Sequence, residues 1–460
     1  MASLVVRSER VVQPGAVRPA SILIRDGRVE RVAEYHEHPA GVPEIDAGDH
    51  AVLPGIVDTH VHINDPGRAN WEGFEHATRA AAAGGVTTLV DMPLNSIPAT
   101  TTVAGLFAKQ VAASDRCYVD VGFWGGVVPG NAGDLQALGE AGVLGFKCFL
   151  SPSGVEEFAH VAEADLRRAL PILASLGLPL LAHAESPELL VAPLADADPR
   201  RYETWLKSRP PESELAAIDL LVRLASEFGA HVHIVHLACA DAVPALAAAR
   251  AAGARVSVET CPHYLTFAAE EIGDGATACK CAPPIRSRAN RDALWSALVR
   301  GDIDLIATDH SPAPPAMKQL DAGDFLQAWG GIASLQIGFA AVWSGASARG
   351  IPLERMAEWC CEQPARLAGL DGRKGRIAAG YDADLMILDP AAECVVDPLT
   401  LFHRHAITPY AGRALRGRVV TTILAGEIVF TDGQVSLPAR GRLIAGRPHR
   451  DRSAAAAQRS

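Results

Sequence analysis

Three things are missing from this 460-residue chain: a block of like charge, a long apolar run and a paired cysteine motif. Each absence excludes a class of function. The 42 basic and 53 acidic residues give a formal net charge of -11 with no basic stretch. Nucleic acid is therefore excluded as a partner, because binding phosphates needs a basic footprint. No segment reaches the roughly 18 continuous apolar residues of a membrane span, so no membrane partner is expected. The opening "MASLVVRSERVVQPG" has no apolar signal core followed by a small-residue cleavage site, and a cytoplasmic protein is expected. The nine cysteines are odd in number and scattered, which fits neither a secreted disulfide framework nor a CxxC metal site. Cys279, Cys281, Cys360 and Cys361 read as reduced packing residues.

What is present is a globular composition, 49% hydrophobic and 21% charged. The length suits one large α/β domain with a satellite. The first fifty residues alternate β-rich runs such as "SILIRDGRVERVAE" with Asp-Gly and Gly-Asp turn pairs, and "GRVVTTILAGEIVFTDG" near the other end has the same texture. Neither end is long enough to bury its own core, so the two are expected to pair into one small β domain. Between them, eight strand-like runs alternate with alanine- and leucine-rich helical patterns: "GIVDTH", "VTTLVDMP", "YVDVGFWG", "LGFKCFL", "LPLLAHAE", "HVHIVHLA", "VSVETCPH" and "IDLIATDHS". Eight βα repeats over roughly 300 residues predict a closed (β/α)8 TIM-type barrel, with a doubly wound open sheet as the alternative. The expected organisation is α/β, a β-sandwich from 1–52 and 369–445 flanking a catalytic barrel over 53–368. The polar, alanine-rich 446–460 is expected to be a disordered tail.

In such a barrel the C-terminal ends of the strands form the floor of the active site. The stretch "PGIVDTHVHINDPG" places His60 and His62 at one of these ends, and other runs end in Lys147, His183, His236 and Asp309. Taken singly, each has an ordinary structural role: a core histidine, a helix N-cap for Asp309, or an ion-paired lysine for Lys147. Together, on five strands at one face, they predict a metal centre. Four imidazoles and a carboxylate suit Zn, Mn, Fe or Co better than Mg or Ca. They are too many for one catalytic zinc, so two divalent ions are expected, zinc foremost. An ammonium beside two dications would be repelled. A neutral Lys147 amine could instead react with CO2 to give an anionic carbamate, N6-carboxylysine.

The ordered motifs "DTHVHINDPG", "GFKCFL", "HAE", "IVHLA", "ETCPHYL" and "IATDHSP" resemble those of the cyclic amidohydrolases, a group of metal-dependent hydrolases, over nearly the whole chain. "EGFEHATRAAAAGGVTTLVDMPLNSIPATTT", "KCAPPIRSRANRDALW", "DHSPAPPAMK" and "QAWGGIASLQ" resemble the allantoinase branch. The resemblance implies a barrel with a small β-sandwich, a homotetramer and a dinuclear centre bridged by carboxylated Lys147. Its ligands fall on His60, His62, Lys147, His183, His236 and Asp309. Asp309 would be the catalytic proton carrier, and the substrate a small cyclic ureide of purine catabolism. Dihydroorotases carry an arginine where this chain has Asn64, and hydantoinases a tyrosine at the place matched by Pro152. The first departure suits a substrate without a carboxylate; the second leaves the oxyanion donor beyond the metals unidentified. Asn95, Cys281, Ala282 and Gly331 fall at substrate-pocket positions, although Asn95 is equally suited to a turn. His263 and His310 are either on the pocket rim or hydrogen-bond partners of ligands. The remaining alternatives are a hydantoinase or dihydropyrimidinase acting on another ring, and a non-catalytic scaffold related to dihydropyrimidinase.

Overall fold

The computed structural model describes residues 3–446, so the tail expected from 446 onward lies outside the described residues beyond that first position. The chain starts with β1 (Leu4–Gln13), β2 (Ala16–Arg25), β3 (Arg28–Ala33), β4 (Glu44–Asp46) and β5 (Ala51–Pro54). It enters the central domain through β6 (Ile56–Val61), β7 (Val86–Asp91), β8 (Asp120–Phe123) and β9 (Gly125–Gly126). β10 (Phe146–Phe149), β11 (Leu180–His183), β12 (Val232–Ile234), β13 (Val256–Thr260) and β14 (Leu305–Ile306) complete it. β15 (Leu385–Val395), β16 (Ala414–Leu424), β17 (Glu427–Thr431) and β18 (Gln434–Val435) return to the first sheet.

The two chain ends form one nine-stranded mixed sheet in the order β18-β17-β16-β15-β5-β1-β2-β3, with β4 beside β1. Its seam is the antiparallel pairing of β15 with β5, Leu385 opposite Pro54 through Leu388 opposite Ala51. Val6, Ile22 and Ile24 from one half share a buried cluster with Leu385, Ile387 and Ile423 from the other, so the sheet curls over its own core. The Asp-Gly turns act as expected. Asp26–Gly27 and Asp432–Gly433 each hold two successive residues at positive φ, 52° and 74°, then 51° and 75°, the conformation that joins twisted antiparallel strands without splaying them.

The central strands are parallel, and helices cross between them: Phe74–Ala83, Val103–Ala113, Leu135–Glu140, Glu163–Leu176, Pro211–Phe228, Val243–Ala251 and Arg288–Arg300, with Gly338–Ala348 after the last. The third strand is broken at Trp124. Its first part (β8) pairs with β7 and its second (β9) with β10, which makes eight staves from nine segments. Closure excludes the open-sheet alternative. Val61 bridges His310 in parallel, and the His62 N–H donates to the His310 carbonyl at 2.8 Å. Below this, Asp58 clasps the last strand to the first, accepting from the Thr308 hydroxyl at 2.5 Å and its N–H at 3.2 Å. The paired glycines after the first barrel helix have separate roles. Gly84 caps it, and Gly85, at φ 81°, lies where any Cβ would collide with Met386 of β15.

Barrel and sheet are locked together by a buried lysine. Lys374 Nζ lies 2.7 Å from Asp120 on β8 and 2.6 Å and 3.1 Å from Asp384 and Asp382, and its side chain is 1% exposed. Three carboxylates around one ammonium are tolerable only while that ammonium is present. Lys374→Met is expected to cost about 3–5 kcal/mol, since it strands buried charge. A lowered urea midpoint at unchanged slope is the expected observation; a midpoint equal to that of the parent would contradict it.

Candidate metal centre

Strand alternation places Asp58 and His60 on the inward face of β6, and His62, one residue past its end, lines the same cavity as His60. Across the barrel, Lys147 pairs with Leu181 and Phe149 with His183, so Lys147 and His183 also point inward from β10 and β11. His236 and Asp309 lie just past the ends of β12 and β14. Their φ values of 40° and 46° break the strand alternation and turn both side chains into the mouth, a strain tolerated where the surroundings fix it.

The structure brings five of the six predicted ligands into direct register. Asp309 Oδ1 is 3.1 Å from His60 Nε2 and 3.4 Å from His62 Nε2. His183 Nδ1 is 3.1 Å from His236 Nε2, and the His60 and His236 rings are 5.3 Å apart. Lys147, fully buried, has its Nζ without a hydrogen-bond partner. Its charge helps to depress the imidazoles of His62, His183 and His236, for all of which burial is the larger cause. Burial drives Lys147 itself down to about 8. Burial would raise the Asp309 carboxyl, but His60, His62 and His236 outweigh it and hold it far below the usual carboxylate range.

Two carboxylates orient the rings of this group. Glu259 accepts from His60 Nδ1 at 2.5 Å, which directs Nε2 at the Asp309 carboxylate, 3.1 Å away. Glu185 accepts from His183 Nε2 at 2.6 Å, which turns the Nδ1 lone pair towards His236. His236 Nδ1 is buried without a partner, so that pair is not fully satisfied in either tautomer. Four imidazoles, a carboxylate and a lysine amine, aimed at one space, are the donor set borderline divalent ions take. His60, His62 and Asp309 meet as one such donor group.

A cavity of about 340 Å³ opens onto these side chains. Its lining includes the sequence-predicted Asn95, Cys281, Ala282 and Gly331, and also Pro152. Asn95 is 4% exposed, with its Oδ1 unpartnered. The Cys281 carbonyl accepts from Trp205 Nε1 at 3.0 Å, and the Gly331 N–H donates to the Lys280 carbonyl at 2.8 Å. Gly331 stands at φ 126° against the Ser311 carbonyl, leaving no room for a Cβ. Asn64 is buried and donates to the Pro312 carbonyl at 3.5 Å, so no cation is offered where dihydroorotases carry one. His310 accepts the Ser334 and Leu335 N–H groups at Nδ1, at 3.1 and 3.3 Å, and does not face the cavity. His263 is fully buried with neither ring nitrogen partnered.

Sequence reasoning passed over the residues that hold this wall and these ligands. Glu185 and Glu259 orient His183 and His60; an acid inside the buried run "VSVET" was the available signal, since such a group needs a partner. Lys280 Nζ reaches the Ala328 carbonyl at 2.5 Å, and Lys318 Nζ reaches the Trp329 and Gly331 carbonyls at 3.0 and 2.8 Å. The two ammonium groups thereby pin the rim segment 326–331. The cysteines expected to be reduced are indeed free and buried. Among the described residues no helix is long and apolar enough to cross a membrane.

Residues 51–429 match the sequence model of the amidohydrolase family. The chain is 50% identical over 446 residues to the allantoinase of Streptomyces avermitilis, covering 97% of this chain and 99% of that one. It is 42% identical to the allantoinase of Saccharomyces cerevisiae over 93% of this chain and 95% of the other. Among solved structures, the L-hydantoinase (dihydropyrimidinase) of Arthrobacter aurescens superposes with a TM-score of 0.92 at 31% identity, covering 97% of this chain and all of that one.

Proposed function

The chain belongs to the amidohydrolase family and is a cyclic amide hydrolase, and on that footing we propose that it opens the hydantoin ring of allantoin to give allantoate. The observation that carries this is the convergence of four imidazoles, Asp309 and an unpaired buried lysine at the barrel mouth, in a chain matched end to end by allantoinases. His60, His62, His183, His236, Asp309 and Lys147 as its carbamate would hold two divalent ions, zinc foremost. When bound, such ions supply a water acidic enough to attack near neutral pH and a Lewis acid for the scissile carbonyl.

The protein's own part is proton management and orientation. Asp309, ionised at neutral pH, takes the proton of the attacking water at its carboxylate and delivers it to the departing ring nitrogen, which would otherwise leave as a poor amide anion. Asn95 Oδ1, buried and unpartnered on the cavity wall, is placed to accept a ureide N–H. Cys281, Ala282 and Gly331 shape the opposite wall through their backbone. A cytoplasmic homotetramer is the expected assembly.

The second reading, a hydantoinase, is favoured by the close superposition on the Arthrobacter enzyme. Against it stands Pro152, which lines the cavity without a hydroxyl where hydantoinases carry a tyrosine. Initial rates on allantoin, hydantoin, dihydrouracil and dihydroorotate, with protein supplied with zinc and bicarbonate, separate the two. Preferential allantoin turnover is expected. Turnover of hydantoin or dihydrouracil alone would overturn the substrate and keep the chemistry, whereas silence on all four by metal-loaded protein would favour a scaffold.

A further inference from the structure

A line of polar side chains runs through the barrel interior from its N-terminal mouth to the candidate metal centre. His231, just before β12, and His233 on it alternate onto the inward face; Ser257 and Glu259 do the same on β13, where Ser257 lies opposite His233. Such interior positions are ordinarily filled by branched apolar residues. Here the contacts are continuous: His231 Nε2 to Ser257 Oγ at 2.8 Å, Ser257 Oγ to His233 Nδ1 at 2.8 Å, His233 Nε2 to Glu259 Oε2 at 3.0 Å, and Glu259 Oε1 to His60 Nδ1 at 2.5 Å.

The far end gives the line a direction. Glu259 holds one imidazole nitrogen on each of its oxygens, His60 Nδ1 on Oε1 and His233 Nε2 on Oε2, and as a carboxylate it accepts from both. His233 therefore donates from Nε2. With His233 as the neutral imidazole, Nδ1 accepts the Ser257 hydroxyl, whose oxygen in turn accepts His231 Nε2–H. Every donor points towards Glu259. That carboxylate also accepts the His236 N–H at 3.2 Å on the oxygen that holds His60, so one group fixes two candidate ligands from different strands.

We propose that His233, backed by Ser257 and His231, is a positioning residue for the metal centre, acting through Glu259 on His60 and His236. The proposal rests on the metal-centre reading above. Without His233 the Oε2 of Glu259, fully buried, would lose its donor and the carboxylate would be free to rotate away from His60.

The test is zinc affinity rather than activity. Metal-depleted full-length protein in bicarbonate buffer is titrated with zinc against a chromophoric chelator, for the parent, His233→Leu, His233→Gln and Ser257→Ala, with urea midpoints measured alongside. His233→Leu is expected to weaken zinc binding about 10- to 100-fold, the usual cost of losing a ligand's hydrogen-bond partner. His233→Gln keeps an N–H directed at Glu259 and is expected to recover most of that loss. Ser257→Ala is expected to weaken binding by a smaller factor and decides the matter if His233→Leu does not fold. Parent-like affinity in Ser257→Ala and in any folded His233→Leu would overturn the positioning role alone. A parent protein that takes up no zinc would overturn the metal centre, and this role with it.

Discussion

Asp309→Asn is expected to lower kcat for allantoin by about 10³-fold or more, the range over which a positioned proton carrier acts. Asparagine keeps the shape of the side chain and an oxygen able to face His60 and His62, now 3.1 and 3.4 Å from Oδ1. It cannot take a proton. The loss should also be flat with pH. His60, His62 and His236 hold the Asp309 carboxyl well below its ordinary range against the effect of burial, so the parent is already in its basic form throughout pH 6–9. Raising the pH therefore restores nothing to the variant. Bound zinc measured in the same preparation separates the two duties proposed for this residue. A variant that retains metal yet hydrolyses slowly has lost the proton carrier, whereas parent-like rates in a metal-loaded variant would remove Asp309 from that role.

The strands were legible because their signals are local. Runs such as "GIVDTH" and "LPLLAHAE" are short, β-branched or leucine-rich, and end in a residue that can bind metal, so the barrel count and the candidate ligands came together. The Asp-Gly turns were legible for the same reason, since they need positive φ at both residues. The supporting groups were not legible. Glu259 is an acid in an apolar strand until the fold brings His60, 199 residues away in sequence, against it. Lys280 and Lys318 look like surface charge in "KCAPPIR" and "PAMKQL"; only the tertiary structure turns them onto the carbonyls of 326–331. β14 is just two residues long, and the barrel closes there through Asp58, Thr308 and His310 rather than through a ladder that strand propensity could announce. The same gap separates the ligand set, written at strand ends, from its orientation, written in same-face neighbours on other strands.

Lys147→Ala is expected to lose about 10²-fold or more in turnover, on the scale of removing a preorganised electrostatic stabiliser, together with most of the bound metal. The reason lies in the state of the amine. At pH 7 an ordinary lysine is neutral in about one molecule in 3,000, whereas burial brings Lys147 to about 8 and the neutral fraction to about one in ten. Only the neutral amine can attack CO2 to give the carbamate. Reconstitution of CO2-depleted, metal-free protein, followed as regained zinc at fixed dissolved CO2, should therefore quicken as pH rises towards about 8 and level off above it. An ion-paired lysine would keep gaining past pH 10. Linkage gives an independent check on the metal-free form. The unfolded chain holds a proton that the folded amine has released, so the Lys147 contribution to stability increases with pH between about 8 and 10.5 and is at its least favourable below 8. In the alanine variant that component of the slope should vanish. Complete reconstitution by zinc in CO2-free buffer would remove the carbamate from the centre and leave Lys147 as a buried base with no anionic form to offer two cations.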